Sequence, residues 1–161
     1  MTTSRPAGLV QSLLADLEEL AELVRLVAAD PSDRLERRGS PGWTAAEVLA
    51  HLADFELVAA VRVRTVLTMD RPALASYGQE EFTGRFGHLE SAAEALDRFA
   101  VNRRATARVL GAIGEADWDR MGVHPVRGEE PLRRTVEMVV RHDREHLEQF
   151  RRAAGVAAAE A

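Results

Sequence analysis

The sequence predicts an all-α protein, an antiparallel bundle of four helices, and three observations lead there. Apolar residues recur at three- and four-residue spacing through four long segments. No segment alternates convincingly between apolar and polar residues, as a half-buried strand would. Pro and Gly gather between those segments. Helices of about 20 to 25 residues are about 30 to 37 Å long, a length that suits a bundle with a metal or cofactor site between its helices.

The first helix is expected from about Gly8 to Ala29, with Leu9, Leu13, Leu17, Leu20 and Val24 as its buried stripe and Pro31 as its stop. The second begins at Thr44. Glu47 completes a capping box there, and Trp43 with Val48 forms a hydrophobic staple. It runs to about Met69. Residues 70–89, with Pro72, Gly78, Gly84 and Gly87, are read as a long irregular connection. The third helix spans about Leu89 to Ile113, with Leu96, Phe99, Arg103, Ala107 and Leu110 on one side. A second connection passes through Trp118, His124, Pro125 and Gly128. The fourth helix starts near Pro131, ends before Gly155, and leaves an Ala-rich tail expected to fray.

Composition narrows the chemistry. The 161 residues are 46 % hydrophobic and 29 % charged, suiting one globular domain over 1–161 with its core from about 8 to 154. There is no cysteine, which excludes disulfides, thiolate metal sites and a cysteine nucleophile. All 21 basic residues are arginine, so Schiff-base and P-loop lysines are absent too. A net charge of −5 argues against non-specific nucleic-acid binding. No apolar run approaches the roughly 20 residues of a membrane span, and Met1 to Gly8 carry no secretory pattern, so the expected location is cytoplasmic.

His142 and His146 stand at i and i+4 in the fourth helix, about 40° apart on one face. They lie at the edge of the stripe formed by Leu132, Val136, Val140, Leu147 and Phe150. Two neutral imidazoles one turn apart can share a transition-metal ion, although such a pair alone is more often just two polar neighbours at a partly buried boundary. His51 shares a face of the second helix with Val48, Phe55 and Val58. Alone it reads as a satisfied core histidine. Facing the fourth helix, it completes a three-histidine site with open coordination positions, as in reactive metal centres.

The run Trp43-Thr44-x-x-Glu47-Val48-Leu49-x-His51-Leu52-x-x-x-Glu56, followed by His142-Asp143-x-x-His146-Leu147-x-Gln149, resembles the DinB-like superfamily. So does Trp118-x-Arg120 through His124-Pro125-x-x-Gly128. The likeness extends from about Leu9 to Arg152. It implies a bacterial four-helix bundle related to bacillithiol- and mycothiol-dependent transferases. It also implies one divalent metal (Zn, Ni or Fe) on His51, His142 and His146, and a homodimer. Pro131 departs from the family, which often has Thr before that Leu; the change touches a helix cap and not the metal site.

On this resemblance the expected activity is metal-dependent S-transfer to or from a small molecule, with a low-molecular-weight thiol as cosubstrate. The alternatives are metal-dependent hydrolysis and a non-catalytic metal- or ligand-binding bundle related to stress. No catalytic residue is assigned. An open cleft beside the metal, bounded by the 70–89 and 114–130 connections, would favour an enzyme; a sealed site would favour the non-catalytic role. Metal affinity is expected to fall below about pH 6.5, where free imidazole protonates.

Other polar residues keep two readings each. Asp143 sits near the centre of the apolar stripe, either orienting a ligand histidine or, preferably, pairing with an inward Arg62 or Arg103. Glu56 is either in an internal ion pair or solvated. Tyr77 and His124 stand near the mouth of the bundle, as substrate contacts or surface groups. His88 reads as an exposed residue before a helix. Arg134, Arg141, Arg144 and Arg152, interleaved with Glu137, Glu145 and Glu148, describe a solvated face.

Overall fold

The computed structural model describes residues 6–30, 33–37 and 42–157. Four long helices make the bundle: α1 (Pro6–Ala28), α2 (Ala45–Thr68), α4 (Ala92–Ala112) and α5 (Leu132–Ala154). The expected stop at Pro31 and the frayed final residues lie outside the described residues. Between α2 and α4 the chain forms a short helix, α3 (Gln79–Phe86). Between α4 and α5 it forms a 3-10 turn (Glu115–Asp119) and an antiparallel hairpin of β1 (Met121–His124) and β2 (Gly128–Pro131).

The helix starts follow local chemistry. Thr44 Oγ1 accepts the N–H of Glu47 at 3.1 Å, and Glu47 Oε2 accepts that of Thr44 at 2.7 Å, the expected capping box. Ser91 and Glu94 repeat the device at the head of α4, so that helix begins three residues later than its periodicity suggests. Pro131 caps α5 with no side-chain bond, and the Leu132 N–H donates instead to the Arg120 carbonyl at 2.8 Å. Gly155 ends α5 at φ 66°, a left-handed conformation that glycine adopts without a Cβ penalty.

Both connections are more ordered than expected. Leu74 and Val123 exchange backbone bonds with the neighbouring segment, pinning residues 72–74 beside β1. Gly122 allows that approach: a Cβ there would stand 2.8 Å from Leu74 and 2.9 Å from Val66. Arg120 donates to the Val66 and Met69 carbonyls at 2.8 and 3.0 Å, closing the end of α2. Among the described residues, no helix is long and apolar enough to cross a membrane.

Around the bundle, α1 and α2 each pack between α4 and α5 and lie diagonal to one another. Asp16 pairs with Arg144, and Glu19 with Arg151, so α1 and α5 run the same way. Asp54–Arg98 and Glu56–Arg103 show the same for α2 and α4. The antiparallel contacts are those of α1 with α4 and of α2 with α5.

The core has two apolar halves. One gathers Leu17, Leu20, Leu49, Phe99, Leu147 and Phe150; the other gathers Leu13, Val63, Val66, Leu110, Leu132 and Val136. A charged layer separates them. Arg103, fully buried on α4, reaches Glu56 on α2 at 2.8 Å, Asp143 on α5 at 2.6 Å and the Leu13 carbonyl on α1 at 3.2 Å. Of the two arginines expected for Asp143, Arg103 is the partner, and Glu56 is in the internal pair. Burial alone would raise the pKa of Asp143, but Arg103, helped by His142, more than offsets it and holds the carboxyl below its ordinary value.

Removing Arg103 strands two carboxylates in a dry layer. Arg103→Leu is therefore expected to cost about 3–5 kcal/mol in urea unfolding at pH 7. Adding Glu56→Leu and Asp143→Leu should recover most of that loss, and a single variant within 1 kcal/mol of wild type would contradict this arrangement.

Candidate metal centre

His51 lies in the second turn of α2 and is fully buried. His142 and His146, half-buried, face it one turn apart on α5. The Nε2 atom of His51 is 3.0 Å from Nε2 of His142 and 3.1 Å from Nε2 of His146. The structure brings all three expected histidines together, from segments 91 residues apart.

Packing fixes the rings. Phe55, one turn along α2 from His51, stacks on His142 with centroids 3.6 Å apart at 16°. Trp43 covers the outer side, 4.9 Å from the His51 ring and 6.2 Å from that of His146. Gln149 Oε1 lies 2.7 Å from Nδ1 of His146. An amide oxygen only accepts, so Nδ1 carries the hydrogen and Nε2 presents its lone pair. The His142 Nδ1 and Asp143 Oδ1 atoms are buried, without hydrogen-bond partners among the described residues, and face each other across 3.9 Å.

Burial, then the neighbouring rings His146 and His142, push the His51 pKa down to about 3. Burial, then His142, push that of His146 down to about 4, against the opposing pull of Gln149 and nearby carboxylates. Both imidazoles are neutral at pH 7, the form that ligates. Protons compete for these two rings well below the expected pH 6.5.

A cavity of about 410 Å³ opens beside His146, lined by Gly42, Trp43, Gln79, Glu80 and Gln149. That volume suits a small-molecule site. The cleft is bounded by the 70–89 segment, as expected, but through α3. The 114–130 connection does not line it, because that hairpin packs at the other end of α2. Larger hollows, of about 530 and 670 Å³, are lined by none of His51, His142 and His146.

The remaining candidates separate from the triad. His124 closes the hairpin turn, its Nδ1 accepting the Val126 and Arg127 N–H groups at 3.2 Å. Tyr77 packs edge-on against Phe82, and His88 is exposed. Gln149 and Glu80 carry roles that sequence reasoning did not give them. Only Gln149, one turn beyond His146, had a readable signal.

One ring nitrogen from each of the three histidines lies within 4.8 Å of the others, with a cleft at one side, a grouping that could hold a metal ion. The chain belongs to the DinB superfamily, whose family model matches residues 10–150. A protein of Oceanobacillus iheyensis named "Putative metal-dependent hydrolase" is 21 % identical over 141 residues, covering 86 % of this chain and 82 % of its own. One of the same name from Geobacillus thermodenitrificans is 30 % identical over 120 residues, covering 70 % and 65 %. The solved structure of YfiT from Bacillus subtilis, described as "a probable metal-dependent hydrolase with an unusual four-helix bundle topology", superposes with a TM-score of 0.83 at 18 % identity. It covers 98 % of this chain and 91 % of YfiT. The four-helix fold is thus shared at low identity.

An unfolded imidazole takes up its proton near pH 6.5, but His51 and His146 do so only near 3 and 4 in the fold. Unfolding therefore binds protons in that window. The part of the metal-free protein's stability that these two imidazoles supply should be full above about pH 6.5 and fall toward pH 4, by about 1.4 kcal/mol per pH unit for each, with Asp16, whose carboxyl burial raises to about 6, acting in the opposite sense. Urea titrations at pH 7, 6 and 5 check this. A His51→Gln variant should flatten the slope; an unchanged slope would contradict the assignment.

Proposed function

We propose that this is a metal-dependent enzyme acting on an electrophilic small molecule, with one divalent ion held by His51, His142 and His146. The convergence of the three Nε2 atoms carries the reading. At metal–nitrogen distances of about 2.0–2.1 Å, ligands 90° to 110° apart stand about 2.9 to 3.4 Å from each other, and the observed separations are 3.0 and 3.1 Å. Hydrogen bonding explains them less well. A single Nε2 hydrogen on His51 serves one neighbour and leaves the second contact without a donor.

When bound by His51, His142 and His146, a divalent ion would lower the pKa of a water or thiol toward neutrality. The chain supplies the surroundings. Gln149 fixes the tautomer of His146, Phe55 and Trp43 hold the rings, and the cleft at Gln79 and Glu80 admits the substrate. Buried Glu56 and Asp143 are engaged by Arg103 and unavailable for proton transfer. Glu47 is engaged in the cap of α2. Glu80, the carboxylate lining the cleft, is then the candidate base for hydrolysis, the activity in the relatives' names. Thiol transfer is the second reading, supported by the absence of any cysteine in the chain: a sulfur nucleophile has to come from outside.

Elemental analysis should find about one ion per chain in wild type and almost none in the His51→Ala/His142→Ala/His146→Ala variant. Gln149→Ala should weaken metal affinity about 10- to 100-fold. Metal-loaded protein is then assayed on small esters, and on a haloarene with and without bacillithiol, mycothiol or glutathione. Ester turnover that Glu80→Gln lowers about 100-fold or more assigns hydrolysis. Turnover only with thiol assigns transfer. Rates no faster than the triple variant in every assay would end the enzymatic reading.

A further inference from the structure

A second polar centre lies on the same face of α2 as His51. Arg62 follows His51 by eleven residues, about 16 Å of rise and about 20° of rotation, so the two side chains leave the helix in nearly one direction. Thr135 precedes His142 by seven residues on the antiparallel neighbour α5 and shares its face in the same way. The seam between α2 and α5 therefore runs from the triad, past Phe55 and Val139, to Arg62 and Thr135.

Arg62 is 8 % exposed, as buried as Arg151, and only Arg103 is more so among the described arginines. Arg103 has two carboxylates and Arg151 pairs with Glu19 and Glu148. Arg62 has none among the described residues. Its Nε and Nη2 both donate to one acceptor, the Ala75 carbonyl, at 2.9 and 2.5 Å. A guanidinium carries five N–H groups, so three remain. Nη1 has no partner among the described residues and is not among their buried unpartnered atoms.

The neighbours do not neutralise it. Burial, then the like charge of Arg127, push the Arg62 pKa below its ordinary value; Tyr77 and Glu130 oppose this in part. Glu130 is already engaged, twice by Arg127 at 2.7 Å and once by the Thr135 hydroxyl at 2.9 Å. Tyr77, two residues beyond Ala75, has a buried hydroxyl with no partner among the described residues. A buried cation without a counter-ion and a neighbouring O–H donor without an acceptor are both costly alone. Asp54, the carboxylate that acts on Tyr77, is paired with Arg98 at 2.9 Å, so an anionic group brought within reach of Arg62 and Tyr77 would satisfy needs that the described carboxylates leave open.

We propose that Arg62 and Tyr77 form an anion subsite that takes a carboxylate or phosphate group of the small molecule whose reacting end lies at the histidine triad. The free edge of Arg62 offers the paired N–H groups that such oxyanions accept. With about 16 Å of helix between His51 and Arg62 before the side chains close the gap, the ligand is elongated, with its charge remote from the reacting end. This subsite rests on the metal-dependent reading for its role in substrate binding, but not for its affinity for anions.

Calorimetric titration of metal-loaded protein with inorganic phosphate, benzoate and phenyl phosphate tests it. Saturable binding of at least one probe is expected in wild type. Arg62→Gln should weaken it at least tenfold, and Arg62→Lys and Tyr77→Phe severalfold, with metal content and circular dichroism unchanged. The triple histidine variant is titrated in parallel. Binding kept there but lost in Arg62→Gln assigns the anion to Arg62, even if that variant and wild type prove to hold no metal. Binding lost in the triple variant but unchanged in Arg62→Gln places the anion on the metal and overturns the subsite, leaving the metal reading intact. No saturable binding to wild type also overturns it. Should Arg62→Gln not fold, unchanged affinity in both Arg62→Lys and Tyr77→Phe overturns it.

Discussion

One guanidinium sets the register of the bundle. Arg103 touches all four long helices: the Leu13 carbonyl of α1, Glu56 of α2, its own α4 and Asp143 of α5. A seam of Leu, Val and Ala can slide by a turn at modest cost, because one apolar contact replaces another. A slide here would leave charges unpaired in a dry layer, at several kcal/mol. His51 stands five residues before Glu56, and His142 directly precedes Asp143. Whatever holds the carboxylates on Arg103 also holds the imidazoles in range of each other.

The charged layer and the triad solve opposite electrostatic problems. In the layer, charge is kept and matched. At the triad, burial removes charge, leaving His51 and His146 neutral. Arg62 follows neither pattern: it is buried like the first and unmatched, which makes it the exception among the described buried arginines.

The parts legible in the sequence were those governed by contacts within one helix or by its face. The Thr44–Glu47 box, the i, i+4 histidines and the inward side of Arg103 all follow from helical geometry. His51 was legible as a ligand only because its face had to meet another helix. The Ser91–Glu94 box is equally local, but the apolar periodicity begins at Leu89 and hides it. α3 is eight residues long, too short for a periodic signal, and its cue is the Phe82–Phe86 spacing, one turn apart. The β2 strand is Gly-Glu-Glu-Pro, with no strand propensity; it forms because β1 pairs with it. The isolated charge of Arg62, the wall of the cleft and the orienting bond of Gln149 depend on neighbours remote in the chain or on side-chain direction, which spacing alone does not give.

The shared direction of α1 and α5 separates Pro6 from Ala154. α1 begins at the hairpin end of the bundle, and α5 finishes at the opposite end after 23 residues, about 34 Å away. Many compact folds bring their ends together and tolerate circular permutation. Joining Pro6 to Ala154 here would need a tether on the order of ten extended residues laid along the outside of the barrel-shaped stack, so a permuted version with a short splice would tear the bundle rather than preserve it.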